Sequence, residues 1–355
     1  MRPSLIITAT APIRICDIGG WTDTWVARRG QVFNVAVRPL VGVRIEVFPR
    51  DTRASHLTIN AENYQLRYSP VLDASNWGPH PLLEGALRAI PPPEDLDIEV
   101  TVRSDAPPGA STGTSAAVVV ALLAALDSLA GGHRSPHQIA DEAHRVETRQ
   151  LGRQSGVQDQ LCAALGGVNF IHIVDYPRAV VSRLDLSDAT MQELERRLVL
   201  IYLGRPHSSS AVHEQVMQEL EGLGPHCRPL ETLRRAAERA RDAVLAGNFV
   251  ALGRAMTDNT AAQAELHPDL IHREAWQASE IAAAHGAHGW KVNGAGGDGG
   301  SITVLCGASS EAKEAMVRAI EQESRSLRSI PVALSHSGVR VWEGFPDSSG
   351  KAPAS

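Results

Sequence analysis

Two patterns alternate along the chain: short runs of β-branched and apolar residues, and longer stretches with helical spacing of apolar positions. The β-branched runs predict strands, and residues 57–68 are polar enough to form one or two edge strands. Within residues 32–49, the sequence Pro39-Leu40-Val41-Gly42 could form a turn. The predicted strands are 4–10, 32–49, 57–68, 96–103, 167–174, 180–185, 198–203, 290–293, 301–306 and 331–336.

Helical spacing dominates the stretches between these runs and most of the C-terminal half. Pro91-Pro92-Pro93 ends the first helix, because proline cannot continue one, and Gly131-Gly132 ends the second. The pattern predicts a mixed α+β chain whose domain boundary is best placed between residues 175 and 195. The predicted helices are 81–90, 115–130, 136–151, 208–223, 229–246, 248–265, 270–285 and 309–328.

The composition excludes several classes of protein. The 355 residues are 43% apolar and carry a net charge of -6, which is ordinary for a globular protein and predicts no nucleic-acid partner. No apolar run reaches the roughly 18 residues of a transmembrane helix, and the N-terminus shows no signal peptide. The four cysteines lack C-x-x-C spacing, so we expect reduced thiols and a cytoplasmic location. The histidines show no H-E-x-x-H spacing that would indicate a metal site.

The segment with the clearest chemistry is a glycine-rich loop between a predicted strand and a predicted apolar helix. It covers residues 107–117 and has the sequence PPGASTGTSAA. Glycines allow the backbone to approach a ligand closely, and the N–H groups that start the helix near Ser115 favour phosphate. The hydroxyl groups of the loop can add hydrogen bonds or reach a Mg²⁺ ion. The loop lacks the lysine of a Walker A motif, and an ordinary strand-to-helix turn is the alternative interpretation.

Three other segments carry groups that phosphoryl transfer requires. Residues 11–24, APIRICDIGGWTDT, contain an arginine, a glycine pair and two acids. Glu147 is followed by GVQDQ at residues 156–160, and residues 294–300 form a second glycine-rich stretch, GAGGDGG. Cations, carboxylates and glycine loops are the recurring parts of such sites. The four segments together therefore indicate a phosphoryl-transfer site.

In this order and at this spacing, the four segments resemble those of the GHMP kinases, which include galacto-, homoserine, mevalonate and phosphomevalonate kinases. PPGASTGTSAA is similar to the family's phosphate loop, usually PxGxGLGSSAA, and GAGGDGG is similar to its GAGGGG motif. Ser111-Thr112 replace Gly-Leu, and Asp298 replaces a glycine. The resemblance, over about residues 8–335, implies a two-lobed α+β fold with the site between an α/β lobe of ribosomal-protein-S5-like type and a ferredoxin-like lobe. We expect these lobes at 1–185 and 186–345, and a disordered tail at 346–355.

The resemblance also implies ATP as co-substrate, Mg²⁺ as cofactor and a role for individual residues. Asp159 matches the catalytic aspartate, which takes the proton of the acceptor hydroxyl, and Arg14 matches the cation beside it. Glu147, 12 residues before Asp159, and Ser115 match the oxygen ligands of Mg²⁺. The residues that would bind ATP are Pro108, Gly109, Ala110, Ser111, Thr112, Gly113, Thr114, Ser115, Ala116, Gly296 and Gly297.

Residues 20–23 bear on the substrate. Galactokinases carry Glu-His-Thr-Asp where this chain has Gly20-Trp21-Thr22-Asp23, which disfavours galactose. Asp23 matches the position that binds sugar hydroxyls, and Trp21 could stack on a pyranose ring or pack in the core. Residues 151–173 and 203–210 resemble the heptose 7-phosphate kinases, whose substrate phosphate requires a cation. The candidates for that cation are Arg205, His207, Arg28 and Arg29.

The sequence therefore predicts a sugar or sugar-phosphate kinase, with the anomeric 1-hydroxyl of heptose 7-phosphate as the best match. An L-fucose-type 1-kinase is the nearest alternative. A mevalonate or homoserine kinase is disfavoured, because those substrates offer few hydroxyls to Asp23. A catalytically inactive sensor of the same fold is disfavoured by the presence of Asp159, Glu147 and Ser115. We expect no nucleic-acid or membrane partner, and a homodimer is a possible assembly.

Overall fold

The computed structural model describes residues 2–73, 75–205 and 210–345. His207 and the predicted tail at 346–355 lie outside these residues. The strands of the described chain form two sheets. They are β1 (Leu5–Ile18), β2 (Gly30–Pro49), β3 (Leu57–Ala61), β4 (Leu66–Tyr68), β5 (Leu96–Ser104), β6 (Val168–Asp175), β7 (Arg178–Arg183), β8 (Leu198–Tyr202), β9 (Gly289–Val292), β10 (Ser301–Leu305), β11 (Arg328–Ile330), β12 (Ala333–Leu334) and β13 (Arg340–Gly344).

The helices cluster around these sheets, and a short π-helical turn, Val146–Gln150, continues the third of them. Single 3-10 turns occur at Glu62–Tyr64 and Pro268–Leu270. Among the residues described, no helix has both the length and the apolar character needed to cross a membrane. The α-helices are α1 (Pro81–Ala89), α2 (Thr114–Leu129), α3 (Pro136–Arg145), α4 (Gln158–Leu165), α5 (Asp188–Arg197), α6 (Ser210–Leu223), α7 (Arg228–Leu245), α8 (Phe249–Leu266), α9 (Arg273–Ala284) and α10 (Ser310–Glu323).

Strands β1 and β2 form the centre of the larger sheet, whose strand order in the described residues is β13-β1-β2-β5-β3-β4. The C-terminal part of β2 pairs with β5, and its N-terminal part pairs with β6, which in turn pairs with β7. Residues 32–37 of β2 are all buried, because α2 and α7 both pack against this strand. A strand that is covered on both faces has a nearly continuous apolar sequence rather than an alternating one.

Helix α2 is the central helix of the first lobe. Eleven of its 16 residues are buried, and its sequence consists mostly of alanine, valine and leucine. A helix that is apolar on all sides is held by the core around it rather than by one face. The packing of α2 therefore fixes the position of its N-terminus, where the glycine-rich loop ends.

The second sheet has the strand order β11-β8-β10-β9 and forms the second lobe with α8, α9 and α10. Its core consists of β8, β9 and β10 side chains packed against apolar residues of α9 and α10. After β11 the chain returns to the first sheet, where β12 pairs with β2 and β13 pairs with β1. The last strands thus tie the two sheets together.

Most of the predicted elements are present within a few residues of their predicted bounds. The strand predicted at 4–10 is too short, because β1 continues to Ile18 along β2. The turn predicted at 39–42 is wrong, since β2 continues through it with Val41 and Val43 paired to β5. The helix predicted over 309–328 is too long, because α10 ends at Glu323 and Arg328–Ile330 forms an edge strand on β8. The strand predicted at 331–336 is limited to the two residues of β12.

Helices α4 and α5 and strand β13 were not expected from the sequence. Helix α5 lies in the stretch predicted to hold the domain boundary, and Leu194 is its one buried residue. A helix with a single buried position gives almost no apolar periodicity, so its charged sequence resembles a loop. Its start is marked by Ser187, whose hydroxyl accepts a hydrogen bond from the N–H of Thr190 at 3.2 Å.

Candidate active site

A cleft of about 800 Å³ opens beside the N-terminus of α2. All four of the sequence segments described above reach it: the end of β1 with the loop that follows, the glycine-rich loop, the segment from 147 to 159, and Gly294-Ala295. His213 and Glu214 of α6 line another side. The fold thus brings together segments that are separated by more than 270 residues in the chain.

The glycine-rich loop connects β5 to α2 and exposes the start of that helix to the cleft. Gly113 is the N-cap of α2 and has a φ of 69°, so the first turn has no side-chain cap. A Cβ atom at this position would lie 3.2 Å from side-chain carbons of Arg14 and Asp159, so a larger residue would require these two side chains to shift. Uncapped N–H groups at a fixed helix start form a site for phosphate oxygens.

The loop is anchored to β1 through its carbonyl groups. The backbone N–H of Arg14 donates to the carbonyl oxygen of Thr112 at 2.9 Å, and the Arg14 guanidinium donates to the carbonyl oxygen of Ser111. Ser111 has a φ of 56°, a left-handed conformation that favours glycine. The replacement of Gly-Leu by Ser111-Thr112 is therefore accommodated with the loop still turned towards the cleft.

Arg14 and Asp159 form a two-pronged ion pair at the floor of the cleft. The Nε and Nη2 atoms of Arg14 donate to the two carboxylate oxygens of Asp159 at 2.8 and 3.2 Å. Arg14 is almost fully buried, whereas 28% of the Asp159 side chain is exposed. Burial opposes the charge of Arg14, but the attraction of Asp159 and then Asp17 raises the pKa of its guanidinium above the ordinary value. The pair therefore presents an oriented carboxylate to whatever enters the cleft.

Behind this pair lies a buried ion pair that joins the two lobes. The ammonium of Lys291, on β9, is 3.5 Å from a carboxylate oxygen of Asp17, on β1, and both side chains are inaccessible to solvent. The Asp17 carboxylate also accepts the N–H of Gly294 at 3.0 Å and lies 3.9 Å from Arg14. Burial lowers the pKa of Lys291, and the attraction of Asp17 opposes that change. Asp17 thus holds the second glycine-rich stretch against the strand that carries Arg14.

Asp23 lines the cleft next to the start of α4, and one of its carboxylate oxygens already accepts hydrogen bonds. Its Oδ2 atom accepts the backbone N–H groups of Val157 and Gln158 at 3.0 and 3.2 Å. Burial, followed by the repulsion of Asp159, raises the pKa of Asp23 to about 6. The carboxylate is therefore fixed in orientation while its Oδ1 atom stays available to another donor.

Trp21 is a core residue that reaches the cleft edge. It is 6% exposed and packs in a cluster with apolar residues of α6 and α7. One face of its indole is covered by the ring of His213, at a centroid distance of 5.0 Å and an interplanar angle of 24°. Of the two roles that the sequence allows for Trp21, core packing or stacking on a sugar, the structure favours core packing. The face that stacks on His213 is not accessible to a sugar.

Comparison with known proteins identifies the family. A model for the N-terminal domain of GHMP kinases matches residues 82–167, and one for the C-terminal domain matches residues 240–324. Mevalonate kinase from Thermococcus onnurineus is 30% identical over 266 residues, covering 70% of each chain. The chain belongs to the GHMP kinase family. It is accordingly a phosphotransferase that acts on a hydroxyl acceptor and has the predicted two-lobed α+β fold.

Other relatives of this GHMP kinase are named as sugar-phosphate kinases. D-glycero-alpha-D-manno-heptose 7-phosphate kinase from Campylobacter jejuni is 23% identical over 247 residues, covering 70% of this chain and 71% of the relative. The crystal structure of a D-glycero-D-manno-heptose 1-phosphate kinase from Bacteriodes thetaiotaomicron superposes with a TM-score of 0.73 at 21% identity. That match covers 95% of this chain and 98% of the other. The structural match confirms the fold, and the substrate needs a separate argument.

GHMP kinases use ATP as co-substrate, and the predicted nucleotide residues divide between two adjoining spaces. Residues 109–116 line the large cleft. Pro108 lines a smaller cavity of about 90 Å³ together with Tyr64, His80 and Leu82. Gly109, Thr114 and Ser115 border both spaces. The glycine-rich loop therefore separates a mainly apolar cavity from the more polar cleft.

Glu147 and Ser115, the predicted Mg²⁺ ligands, face the same cleft. One Glu147 oxygen accepts the side-chain amide of Gln160 at 3.0 Å, and burial raises the pKa of this carboxyl group. Within residues 2–73, 75–205 and 210–345, no group of three or more His, Cys, Asp or Glu side chains could hold a metal. A carboxylate and a hydroxyl fit Mg²⁺ all the same, since this ion takes one or two protein ligands and completes its shell with phosphate and water.

Several predicted site residues lie outside the cleft lining. The Arg205 side chain is 59% exposed and lies 3.5 Å from Glu274. Gly296 and Gly297 form the turn that packs on Leu270, while Gly294 and Ala295 supply the cleft surface. Arg28 and Arg29 are also exposed and outside the lining, as is Asp298, the residue that departs from the family's glycine motif. Gly20, by contrast, lines the cleft.

Sequence reasoning missed six charged or polar residues at this site. Lys291 lies in the predicted strand 290–293, three residues before the second glycine-rich stretch, and Asp17 lies within the first segment, but neither residue was given a role. The other four are in the cleft lining, in the loop before α4 and in α6. They are Arg153, Gln154, His213 and Glu214. The sequence gives no periodic signal for them, because each reaches the cleft through tertiary packing.

Proposed function

We propose that this GHMP kinase transfers the γ-phosphoryl group of ATP to a hydroxyl of a sugar or sugar phosphate. The observation that carries the proposal is the Arg14–Asp159 pair, held at 2.8 and 3.2 Å beside the uncapped start of α2. A phosphate bound by the helix N-terminus would lie next to a carboxylate that can orient an acceptor hydroxyl. Phosphoryl transfer depends mostly on such positioning and charge stabilisation.

The reaction assigns one task to each of these groups. The acceptor hydroxyl donates to Asp159, and its oxygen attacks the γ-phosphorus while the bond to the β–γ bridging oxygen breaks. The bridging oxygen keeps the electron pair as ADP leaves, and Asp159 takes the hydroxyl proton. Arg14 holds Asp159 in place through two hydrogen bonds. When bound by Glu147 and Ser115, Mg²⁺ would neutralise phosphate charge. We further propose that the nucleotide base occupies the smaller cavity beside Pro108.

A sugar fits the acceptor side because of Asp23. Its buried carboxylate has one oxygen fixed by the N–H groups of Val157 and Gln158, which leaves the other to accept a sugar hydroxyl. Arg205 lies outside the cleft lining and stays a prediction as a substrate ligand. Heptose 7-phosphate, phosphorylated at its anomeric 1-hydroxyl, is our best candidate, supported by the two heptose phosphate kinases among the relatives.

Two other acceptors have specific support. A bifunctional fucokinase/GDP-fucose pyrophosphorylase from Arabidopsis thaliana is 25% identical over 321 residues, which favours a fucose-type sugar as the alternative. The 30% identity to a mevalonate kinase means that mevalonate needs a direct test. Free cysteines at 16, 162, 227 and 306 fit the cytoplasmic location that we propose, and a homodimer stays a prediction.

The deciding experiment measures ADP release with ATP and Mg²⁺ against a panel of acceptors. The panel contains D-glycero-D-manno-heptose 7-phosphate, L-fucose, galactose, mannose, glucuronate and mevalonate, and Asp159→Ala is the control variant. We expect ADP release with heptose 7-phosphate that is lost in the variant. Release with mevalonate alone would contradict the sugar assignment. A protein that does not bind ATP would contradict the proposed activity as a whole.

A further inference from the structure

The cleft is acidic, although a kinase must bind a polyanion there. Within the part of the chain that the structure describes, its lining contains more carboxylates than guanidinium groups. Burial lowers the pKa of His213, so this ring adds little positive charge at neutral pH. The carboxylates are Asp17, Asp23, Glu147, Asp159 and Glu214, and the guanidinium groups are Arg14 and Arg153.

The two arginines differ in whether they already have a partner. Arg14 is bound to Asp159 through two hydrogen bonds and also lies near Asp17. No carboxylate oxygen of residues 2–73, 75–205 or 210–345 lies within 4.0 Å of the Arg153 guanidinium. The Arg153 side chain is exposed at the cleft. Arg153 is therefore the cation of the described lining that has its charge and donors available for a ligand.

The backbone places Arg153 on the glycine-loop side of the cleft. Gly152 has a φ of 62°, and the N–H of Arg153 donates to the carbonyl oxygen of Glu147 at 2.9 Å. The loop thus folds back over the turn that carries Glu147. Burial raises the pKa of Glu147, and Arg153 is among the groups that oppose this rise, as expected for neighbouring charges. Burial lowers the pKa of His80, and the positive charge of Arg153 lowers it further. His80 lines the smaller cavity on the other side of the loop.

We propose that Arg153 binds phosphate oxygens in this cleft, with the terminal phosphates of the nucleotide as its ligand. A guanidinium presents two parallel N–H groups that match two oxygens of one phosphate. Its place beside Glu147, in the lining that the start of α2 also forms, would add a cation to the donors around the phosphates. The inference rests on the proposed kinase function and adds a residue to it. A phosphate carried by the sugar has the same chemistry and is the second source to be separated by experiment.

The test is calorimetric titration of the full-length protein with ATP and with ADP in the presence of Mg²⁺, without acceptor. Four proteins are compared: wild type, Arg153→Ala, Arg153→Lys and Arg149→Ala. Arg149 is the matched control, since it is exposed, lies four residues earlier and is outside the cleft lining. Removing a charged hydrogen-bond donor typically weakens binding about 10- to 100-fold. We expect such a loss for ATP with Arg153→Ala, a smaller loss for ADP, partial retention with Arg153→Lys, and no change with Arg149→Ala.

A second arm titrates the same proteins with heptose 7-phosphate and with the unphosphorylated sugar. A loss confined to the phosphorylated sugar would assign Arg153 to the acceptor phosphate instead of the nucleotide. If Arg153→Ala binds ATP and the sugar phosphate as tightly as Arg149→Ala does, the proposal is overturned while the kinase function stands. If the wild type binds ATP but releases no ADP with any acceptor, an effect of Arg153→Ala on ATP binding still supports the assignment. Failure of the wild type to bind ATP overturns both proposals.

Discussion

The two walls of the cleft differ in the groups that they present to a ligand: one is uncharged and the other carries paired charges. The glycine-rich loop, residues 107–117, has no charged side chain and presents backbone N–H groups, hydroxyls and the start of α2. The wall formed by β1 is charged, and its charges are paired before any ligand arrives: Arg14 with Asp159, and Asp17 with Lys291. Backbone donors bind phosphate without a charge to neutralise, whereas paired charges hold a carboxylate in one orientation.

This difference predicts how each wall responds to substitution. A loop that acts through its backbone should tolerate new side chains, such as Ser111-Thr112 in place of the family's Gly-Leu. A network of buried charges does not, because removing one partner leaves the other without compensation in a medium of low dielectric constant. Four substitutions test this contrast, from the largest expected effect to the smallest.

Asp159→Asn should produce the largest change in activity. The amide keeps the shape of the side chain but cannot take the proton of the acceptor hydroxyl, and a positioned general base contributes about 10²- to 10⁴-fold. We expect kcat to fall by that factor while the affinity for ATP, for which the glycine-rich loop supplies the donors, changes little. Initial rates of ADP release and calorimetric titration with ATP measure the two quantities.

The matched control is Asp298→Asn, the same chemical change at an exposed aspartate outside the cleft lining. It replaces the residue that departs from the family's GAGGGG motif. We expect wild-type rates, since the side chain at 298 does not contribute to the cleft lining. A large gain in ATP affinity with Asp298→Asn would instead show that this acid repels the nucleotide.

Lys291→Met should have the largest effect on stability. The substitution leaves Asp17 buried, and breaking a buried ion pair from one side costs about 3–5 kcal/mol. We expect the free energy of unfolding, measured with urea, to fall by that amount. The double variant Asp17→Asn, Lys291→Met removes both charges and should recover part of the loss, because no buried charge is left unpaired. Equal destabilisation in the single and double variants would show that packing, not charge, holds this contact.

The protonation of Asp23 should reduce kcat/KM at acidic pH. Its pKa is raised to about 6, chiefly by burial, so the carboxylate that accepts a sugar hydroxyl is protonated as the pH falls below this value. We expect kcat/KM for the acceptor to fall about tenfold per pH unit below the pKa. Because burial raises the pKa, ionisation of Asp23 costs folding free energy, and Asp23→Asn should be more stable than the wild type at pH 7.

Phosphate groups on the ligands titrate in the same pH range, so the fall in kcat/KM at acidic pH has to be assigned either to Asp23 or to the ligand. The pH profile of Asp23→Asn provides the assignment, measured between pH 5 and 8 with the same acceptor. The variant should have a lower kcat/KM, and that value should no longer fall at acidic pH through protonation of residue 23. If kcat/KM of the variant still falls with the same slope, the titrating group is on the ligand and Asp23 does not set the pH dependence.

The same contrast explains how much of the protein could be predicted from its sequence. The glycine-rich loop and α2 are local features, because the strand before them, the glycines and the apolar helix are contiguous. Their positions were predicted to within one residue, with α2 beginning at Thr114 rather than 115. Helix α5 was not predicted, because a helix with one buried residue has no periodic pattern of apolar positions.

The charged wall depends on contacts between distant parts of the chain. Asp17 and Lys291 are 274 residues apart, and neither residue type nor spacing predicts that they meet. Trp21 shows the same limit, because its ring is covered by His213, a residue of α6 that the sequence does not connect with residues 20–23. Family resemblance supplied Arg14 and Asp159, whereas Arg153 and Asp17 required the fold to bring them to the cleft.

Ser111→Gly should give the smallest effect, with the opposite sign. Ser111 has a φ of 56°, and its hydroxyl is buried without a hydrogen-bond partner among the described residues. A left-handed conformation costs a non-glycine residue about 1–2 kcal/mol, which glycine avoids at the expense of more entropy in the unfolded chain. We therefore expect the free energy of unfolding to rise by up to about 1 kcal/mol, with ATP affinity unchanged. The counterpart is Gly113→Ser, whose Cβ would crowd Arg14 and Asp159 at 3.2 Å and should lower stability. If Ser111→Gly weakens ATP binding instead, the hydroxyl at 111 contacts the phosphates, and the loop does not act through its backbone alone.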